Sequence, residues 1–296
     1  MQKEEGKKQG NWAALSSLGI TRFESDQIGD RTMRFTEQQI EQFQTEGWLA
    51  VPNFWSENEV TAMRLELDRL KETGKLRNVA TDGDGKTHST TVANLQLCPM
   101  WPHSPLFQAM PFAPGIAEAL EQLIGGPVLL HLDQVFLKPA GNGVGTNWHQ
   151  DNAYFQIEDP LKGTALWTAV HAATEANGTI RVIPRQFREK LHHERDPQSD
   201  HHIRCWPTEE DRAISVELPA GGVVFFAYGT PHSTGANVTD RERAGVALHF
   251  INADQTGTAH GGFEVDKRPW LTGPNATGGE KEYGRKIAGE WERMTK

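Results

Sequence analysis

The sequence predicts a mainly β protein of the sandwich or barrel type, entered through a helical N-terminal part. From about residue 127, short apolar runs recur between Gly, Pro, Asn and Asp: "PVLLHLDQVFLKP", "TALWTAVHAA", "GTIRVIP", "ISVELPAGGVVFFAYG" and "RAGVALHFIN". Such spacing is that of many short strands folded on one another. Upstream, two segments carry helix start signals followed by one-sided apolar periodicity. No apolar run approaches the roughly 18 residues that a membrane span needs.

In chain order, residues 1–30 lack a sustained pattern and are expected to form an arm. "TEQQIEQFQTEG" offers Thr36 as N-cap, Gln39 as its capping-box partner and Gly47 as stop. "GWLAVPNF" reads as a short strand. "SENEVTAMRLELDRLKETG" repeats the helix signature with Ser56 and Glu59, an apolar face of Val60, Met63, Leu67 and Leu70, and Gly74 at its end. A third helix is expected from Pro114 to Ile124, closed by Gly125 and Gly126. The segment 185–212, rich in His, Arg, Asp and Glu, is expected to be a solvated excursion between strands. Beyond residue 253 the chain is rich in Gly, Thr and Pro, and 255–279 is a candidate lid. A charged helix is expected over roughly 280–294. The expected organisation is therefore an arm (1–30) and one domain (31–296), comprising a helical part (31–126), a β core (about 127–253) and a C-terminal extension (254–296).

Composition narrows the class without naming a chemistry. Apolar residues are 37% and charged residues 23% of the 296, ordinary for a soluble globular protein. The net charge of −9 and the lack of a basic stripe oppose nucleic-acid binding. "MQKEEGKKQG" is charged with no apolar segment behind it, which argues against a signal peptide. Cys98 and Cys205 form no C-x-x-C, and a reduced, cytoplasmic protein is the simpler expectation.

The chemistry centres on "TNWHQDNAYF". If that stretch is extended, His149 and Asp151 lie on one face, because residues i and i+2 of a strand do. An imidazole and a carboxylate, completed by a second histidine, make a facial triad that leaves positions open on an iron ion. His232, in "VVFFAYGTPHSTG", is the candidate third ligand. Two rival pairs exist, His131 with Asp133 and His192 with Glu194, and spacing alone does not choose among them. Arg243, which opens "RAGVALHF", could grip a carboxylate through two parallel hydrogen bonds; Arg241 is the alternative, and strand parity does not exclude it.

The order His-x-Asp, then "LWTAVHAATEANGTIRVIP", then "FFAYGTPHSTGANVTDRERAGVALHF" resembles the phytanoyl-CoA dioxygenase family of iron(II)- and 2-oxoglutarate-dependent oxygenases. The resemblance is strong from about Val128 to Phe250 and weaker before it. It implies a double-stranded β-helix, or jelly roll, with flanking helices. It places the metal ligands on His149, Asp151 and His232, and the 2-oxoglutarate contacts on Lys138, Trp167, Thr234 and Arg243. Thr234 keeps a hydroxyl where some members carry Ser, Ser233 stands where Gly is common, and "IPRQF" departs from the usual "IPGSH". The resemblance also sets aside His131 and Asp133 as a polar strand pair facing a neighbour or solvent.

Each residue has a blander reading. Lys138 could be a strand-edge gatekeeper, and Trp167 core. His192, His193, His201 and His202 are expected in a solvated loop rather than a second metal site. "GNGVGT" precedes a strand and lacks the lysine of a phosphate loop, so a flexible rim is expected. Tyr154 and Gln156 are candidates for substrate contact. The implied activity is hydroxylation of a small organic molecule, using iron(II), 2-oxoglutarate and O2 and releasing succinate and carbon dioxide. Asp151 favours hydroxylation, since related halogenases lack that carboxylate. A fourth histidine at the metal would favour a cupin-type metalloenzyme instead, and a jelly-roll binding protein without turnover is the non-enzymatic alternative.

Overall fold

A computed structural model describes residues 33–207, 209–256 and 267–296; the expected arm lies outside them, as do residues 257–266 of the candidate lid. The first helix, α1 (Glu37–Glu46), starts where its cap dictates: Thr36 Oγ1 accepts the Gln39 N–H, and the Gln39 side chain accepts the Thr36 N–H. β1 (Trp48–Val51) follows. α2 (Glu57–Glu72) carries the same reciprocal cap at Ser56 and Glu59 and buries Val60, Met63, Leu67 and Leu70. These four lie three or four residues apart, on one helical face.

Short elements come next: β2 (Arg77–Asn78), β3 (Leu95–Leu97), α3 (Pro105–Ala109) and α4 (Ile116–Ile124). α4 starts two residues later than expected because Gly115, at φ 85°, is its N-cap, and a left-handed residue cannot continue a right-handed helix backwards. The β body comprises β4 (Val128–Lys138), β5 (Thr146–His149), the one-turn α5 (Asn152–Phe155), β6 (Gly163–Ala169), β7 (Ile180–Val182), β8 (His193–Arg195), β9 (Ile203–Cys205), β10 (Ile214–Ser215), β11 (Val223–Ala227), β12 (His232–Thr234) and β13 (Arg243–Asn252). The expected C-terminal helix is two short ones, α6 (Glu280–Tyr283) and α7 (Glu290–Met294). Gly284 and Gly289 between them take φ 71° and 90°.

The strands form a seven-stranded sheet in the order β1-β11-β6-β13-β4-β3-β2, a four-stranded sheet in the order β10-β7-β12-β5, and the β8-β9 hairpin. The pairings between these strands are antiparallel. Alternate residues of the large sheet have opposite duties. Ala165, Trp167, Val224 and Phe226 pack inward with Ile180 and Val182 of the small sheet. Leu166, Val223 and Phe225 face outward to Phe43, Met63, Leu120 and Trp291 of the helices. A sheet buried on both faces reads as a continuous apolar run, which is why "VVFFA" shows no alternation. The site occupies the space between the two sheets, as in a jelly roll.

Candidate metal centre and its cavity

His149 ends β5 and His232 opens β12, and the two are direct partners across that antiparallel pair. Their ring centroids are 4.1 Å apart. Asp151 arrives differently from the expectation. The strand stops at His149, and Asp151 has helical dihedrals (φ −59°, ψ −33°) at the head of α5. A tight strand-to-helix corner therefore brings its carboxylate to the imidazoles, in place of strand alternation. One donor atom from each of the three residues lies within 4.8 Å of the others.

The tautomers suit a metal. Nδ1 of His149 donates to the Asn147 carbonyl at 2.8 Å, and Nδ1 of His232 to the Thr230 carbonyl at 2.9 Å. A carbonyl can only accept, so the ring proton sits on Nδ1 and the lone pair of Nε2 is free for a ligand bond. Burial disfavours the charged ring and lowers the pKa of His149, and that of His232 to about 4. For Asp151, burial works toward the neutral acid, but His232, His249 and His149 together outweigh it and hold the carboxyl below its usual range. Both ligand rings face Oδ1, with Nε2 at 3.9 Å for His149 and 3.7 Å for His232.

His249 was missed from the sequence. Its Nε2 lies 3.2 Å from the other oxygen, Asp151 Oδ2. The fourth histidine that would favour a cupin-type centre is thus present nearby, but it supports the carboxylate and is not one of the three converging donors.

At the far end of the same space, Lys138 closes β4 and Arg243 opens β13, again as register partners. Both side chains are buried. Their hydrogen bonds go to backbone carbonyls: Lys138 Nζ to Gly178 (3.3 Å) and to Gly235, Arg243 to Asn177 (Nε, 3.3 Å) and to Gly178. Among the described residues neither cation has a carboxylate partner, an arrangement that suits a bound dianion. The gatekeeper reading of Lys138 does not fit a buried position. Arg243 lies over the Trp167 ring, Cζ 5.5 Å from its centroid. Gly245 makes that placement possible, since a Cβ there would come within 2.5 Å of the indole. Thr234 lines the cavity, and its Oγ1 accepts the Thr146 N–H at 3.0 Å. Arg241 is exposed, whereas Arg243 is buried and lines the cavity.

The cavity, about 410 Å³, is lined by the three candidate ligands, by Lys138, Trp167, Thr234 and Arg243, and by His249. Tyr154 lines it as well, whereas Gln156 is exposed and closes α5 in the left-handed region at φ 53°. Of the two settings expected for His131 and Asp133, the structure shows the neighbour and not solvent: His131 Nδ1 lies 3.2 Å from Tyr228 Oη, and Asp133 Oδ2 accepts the N–H groups of Met100 and Trp101. The histidines of 185–212 are not a solvated set, since only His192 is exposed and His201 and His202 reach the cavity. In the "GNGVGT" rim, Gly145 passes close to Thr234, whose carbonyl oxygen would be 2.0 Å from a Cβ. "IPRQF" does depart locally, with Arg185 at φ 68°.

The profile of the phytanoyl-CoA dioxygenase (PhyH) family matches residues 43–245. Ectoine dioxygenase of Bordetella parapertussis is 23% identical over 238 residues, covering 74% of this chain and 76% of its own. Among solved structures, the non-heme alpha ketoglutarate dependent carbocyclase SnoK from nogalamycin biosynthesis superposes with a TM-score of 0.64 at 20% identity, over 76% of this chain and 87% of its own. EvdO2 from Micromonospora carbonacea var. aurantiaca, solved with 2-oxoglutarate, superposes with a TM-score of 0.59 at 25% identity, over 76% and 94%. The jelly roll, the donor triad and these relatives together define the class, a 2-oxoglutarate-dependent non-haem iron dioxygenase. The chain belongs to the phytanoyl-CoA dioxygenase family.

Proposed function

We propose that the protein hydroxylates a small organic molecule, with His149, Asp151 and His232 holding iron(II) and Arg243, Lys138, Thr234 and Trp167 holding 2-oxoglutarate. One observation carries the reading: a preformed triad of ligand atoms and two buried cations, without carboxylate partners among the described residues, lie in one cavity. Bound iron(II) supplies oxygen activation coupled to decarboxylation of 2-oxoglutarate to succinate and carbon dioxide. The chain's own residues bind, orient and exclude. Asn147 and Thr230 fix the ring orientations through their carbonyls, and His249 restrains the second oxygen of Asp151. Arg243 and Lys138 neutralise the far carboxylate of the co-substrate, and Trp167 walls it from solvent. Asp151 occupies the ligand position that halogenases of this class leave open, which favours hydroxylation.

No helix of the described residues is long and apolar enough to cross a membrane. Both cysteines are free, and we assign the protein to the cytoplasm on that basis.

The test uses purified protein with iron(II), ascorbate and labelled 2-oxoglutarate. Asp151→Ala is expected to reduce succinate release by about a hundredfold or more, equivalent to a barrier raised by roughly 3 kcal/mol; near-normal release would refute the ligand assignment. Arg243→Ala is expected to raise the 2-oxoglutarate requirement by about tenfold to a hundredfold, the worth of a charged hydrogen-bonded pair, with little change in the iron requirement. Equal changes in both would remove Arg243 from the co-substrate site.

A further inference from the structure

Part of the cavity wall has no duty in the chemistry above. The β8–β9 hairpin supplies it, and three ties fix that hairpin to the metal corner. His193 Nε2 accepts the N–H of Gln150, the residue between the two ligands, at 3.0 Å. Ile203 N–H donates to Tyr154 Oη at 2.9 Å. Asn147 Nδ2 donates to both carboxylate oxygens of Asp196, at 3.0 and 3.1 Å.

The turn so anchored delivers His202. Its ring lies nearly parallel to that of His149 (14° between planes, centroids 6.3 Å apart) and edge-on to Phe136 at 5.6 Å. Among the described residues neither of its ring nitrogens has a hydrogen-bond partner, although the residue is buried and lines the cavity. Two amides share that condition. Gln96 Nε2 donates to Gln134 Oε1 at 3.0 Å, which leaves Gln96 Oε1 and Gln134 Nε2 without protein partners among the described residues; both side chains line the same cavity. Polar groups placed this way are satisfied by water or by a ligand.

The charges nearby are already committed. Asp151 belongs to the metal centre, and Lys138 and Arg243 to the dianion pocket. Arg77, at the rim, is paired with Asp200, which His201 also contacts at 2.6 Å. What remains for a substrate is uncharged: imidazole, amide, phenol, hydroxyl and thiol groups, together with the Phe136 and Phe155 rings. An ionic group held there would be stripped of water without a counter-ion, which is strongly unfavourable.

The geometry points to His202 as a substrate-orienting residue: with the Gln96–Gln134 pair, it hydrogen-bonds an uncharged amide or hydroxyl group of the substrate and so sets which carbon faces the metal centre. This rests on the oxygenase reading above. The experiment loads the full chain with manganese(II) and 2-oxoglutarate and adds four probes of one shape: cyclohexanecarboxamide, cyclohexanol, cyclohexanecarboxylate and cyclohexylammonium. Binding is read from proton relaxation by the paramagnetic ion, and 2-oxoglutarate affinity by calorimetry. The amide and the alcohol are expected to bind about tenfold tighter than the two ions. His202→Phe and Gln134→Leu are each expected to weaken the amide by about tenfold, the worth of one neutral hydrogen bond. His202→Gln should restore most of that affinity, with 2-oxoglutarate affinity changing by less than about threefold throughout. Equal or tighter binding of either ion, unchanged amide affinity in both loss variants, or no binding of any probe would overturn the proposal. Failure of the unaltered protein to bind 2-oxoglutarate would sink the oxygenase reading instead.

Discussion

His131 shows how burial alone decides the chemistry of a side chain. In the sequence it forms a His-x-Asp as plausible as the one at 149–151, yet it sits fully buried between Tyr228 and Phe155, and among the described residues it joins no cluster of converging ligand atoms. Burial depresses its pKa from 6.5 to about 3. A base depressed in this way stays neutral in the folded chain while the unfolded chain takes up a proton below about 6.5. The unfolded state then binds more protons, so stability is lost as the pH falls from about 6.5 toward 3, with a slope approaching about 1.4 kcal/mol per pH unit from this residue. In His131→Phe, denaturation midpoints should depend less steeply on pH over that window; an unchanged pH profile would contradict the buried, neutral assignment. Asp133 is legible as a strand residue, but its role is not. It accepts two backbone N–H groups from residues 100 and 101 and lies 3.6 Å from Arg268, partners far away along the chain.

Among the elements, the capped helices and the long strands announce themselves, while the small sheet does so only in part: β7 and β10 fall within apolar runs, but β5 and β12 do not stand out as strands. Strands β5, β7, β10 and β12 have two to four residues each, too few for a period to be read. α7 adds a dependence that no local pattern contains. Trp291 Nε1 donates to Glu59 Oε1 at 2.7 Å, while Glu59 Oε2 accepts the N–H and hydroxyl of Ser56. The capping box of α2 is thereby tied to the C-terminal helix, with Trp291 packed on Trp55 at 5.1 Å. Trp291→Ala is expected to cost about 3–5 kcal/mol of stability, as large-to-small changes of buried aromatics do. Trp291→Phe, which keeps most of the packing and leaves Glu59 short of a donor, should cost about 1–3 kcal/mol. Urea denaturation measures both, and a Phe variant as stable as the parent would show that the hydrogen bond contributes nothing.

For the molecule as a whole, two sheets clamp both ligand sites, so filling those sites should stabilise the entire fold. A ligand at 100 times its Kd adds about 2.7 kcal/mol, and each kcal/mol shifts the melting temperature of a chain this large by roughly 2–4 °C. Manganese(II) with 2-oxoglutarate is therefore expected to raise the melting temperature by about 5–10 °C, reversibly on chelation. Arg243→Ala should keep the increment due to metal and lose the one due to 2-oxoglutarate. Scanning calorimetry separates the two, and a single inseparable increment would contradict the division of the cavity into a triad and a dianion pocket.

Local physics made the capped helices and the apolar strands readable in the sequence, because propensity and periodicity act within a few positions of one another, whereas the His-x-Asp…His…Arg order was legible through the family resemblance. Antiparallel register then decided what distance along the chain conceals. It made His149 face His232 and Lys138 face Arg243, left Arg241 outside and brought His249 against Asp151. The same folding turned a polar excursion into a cavity wall. Contacts between residues far apart in the chain come from the packing of the two sheets, and no short window of sequence contains them.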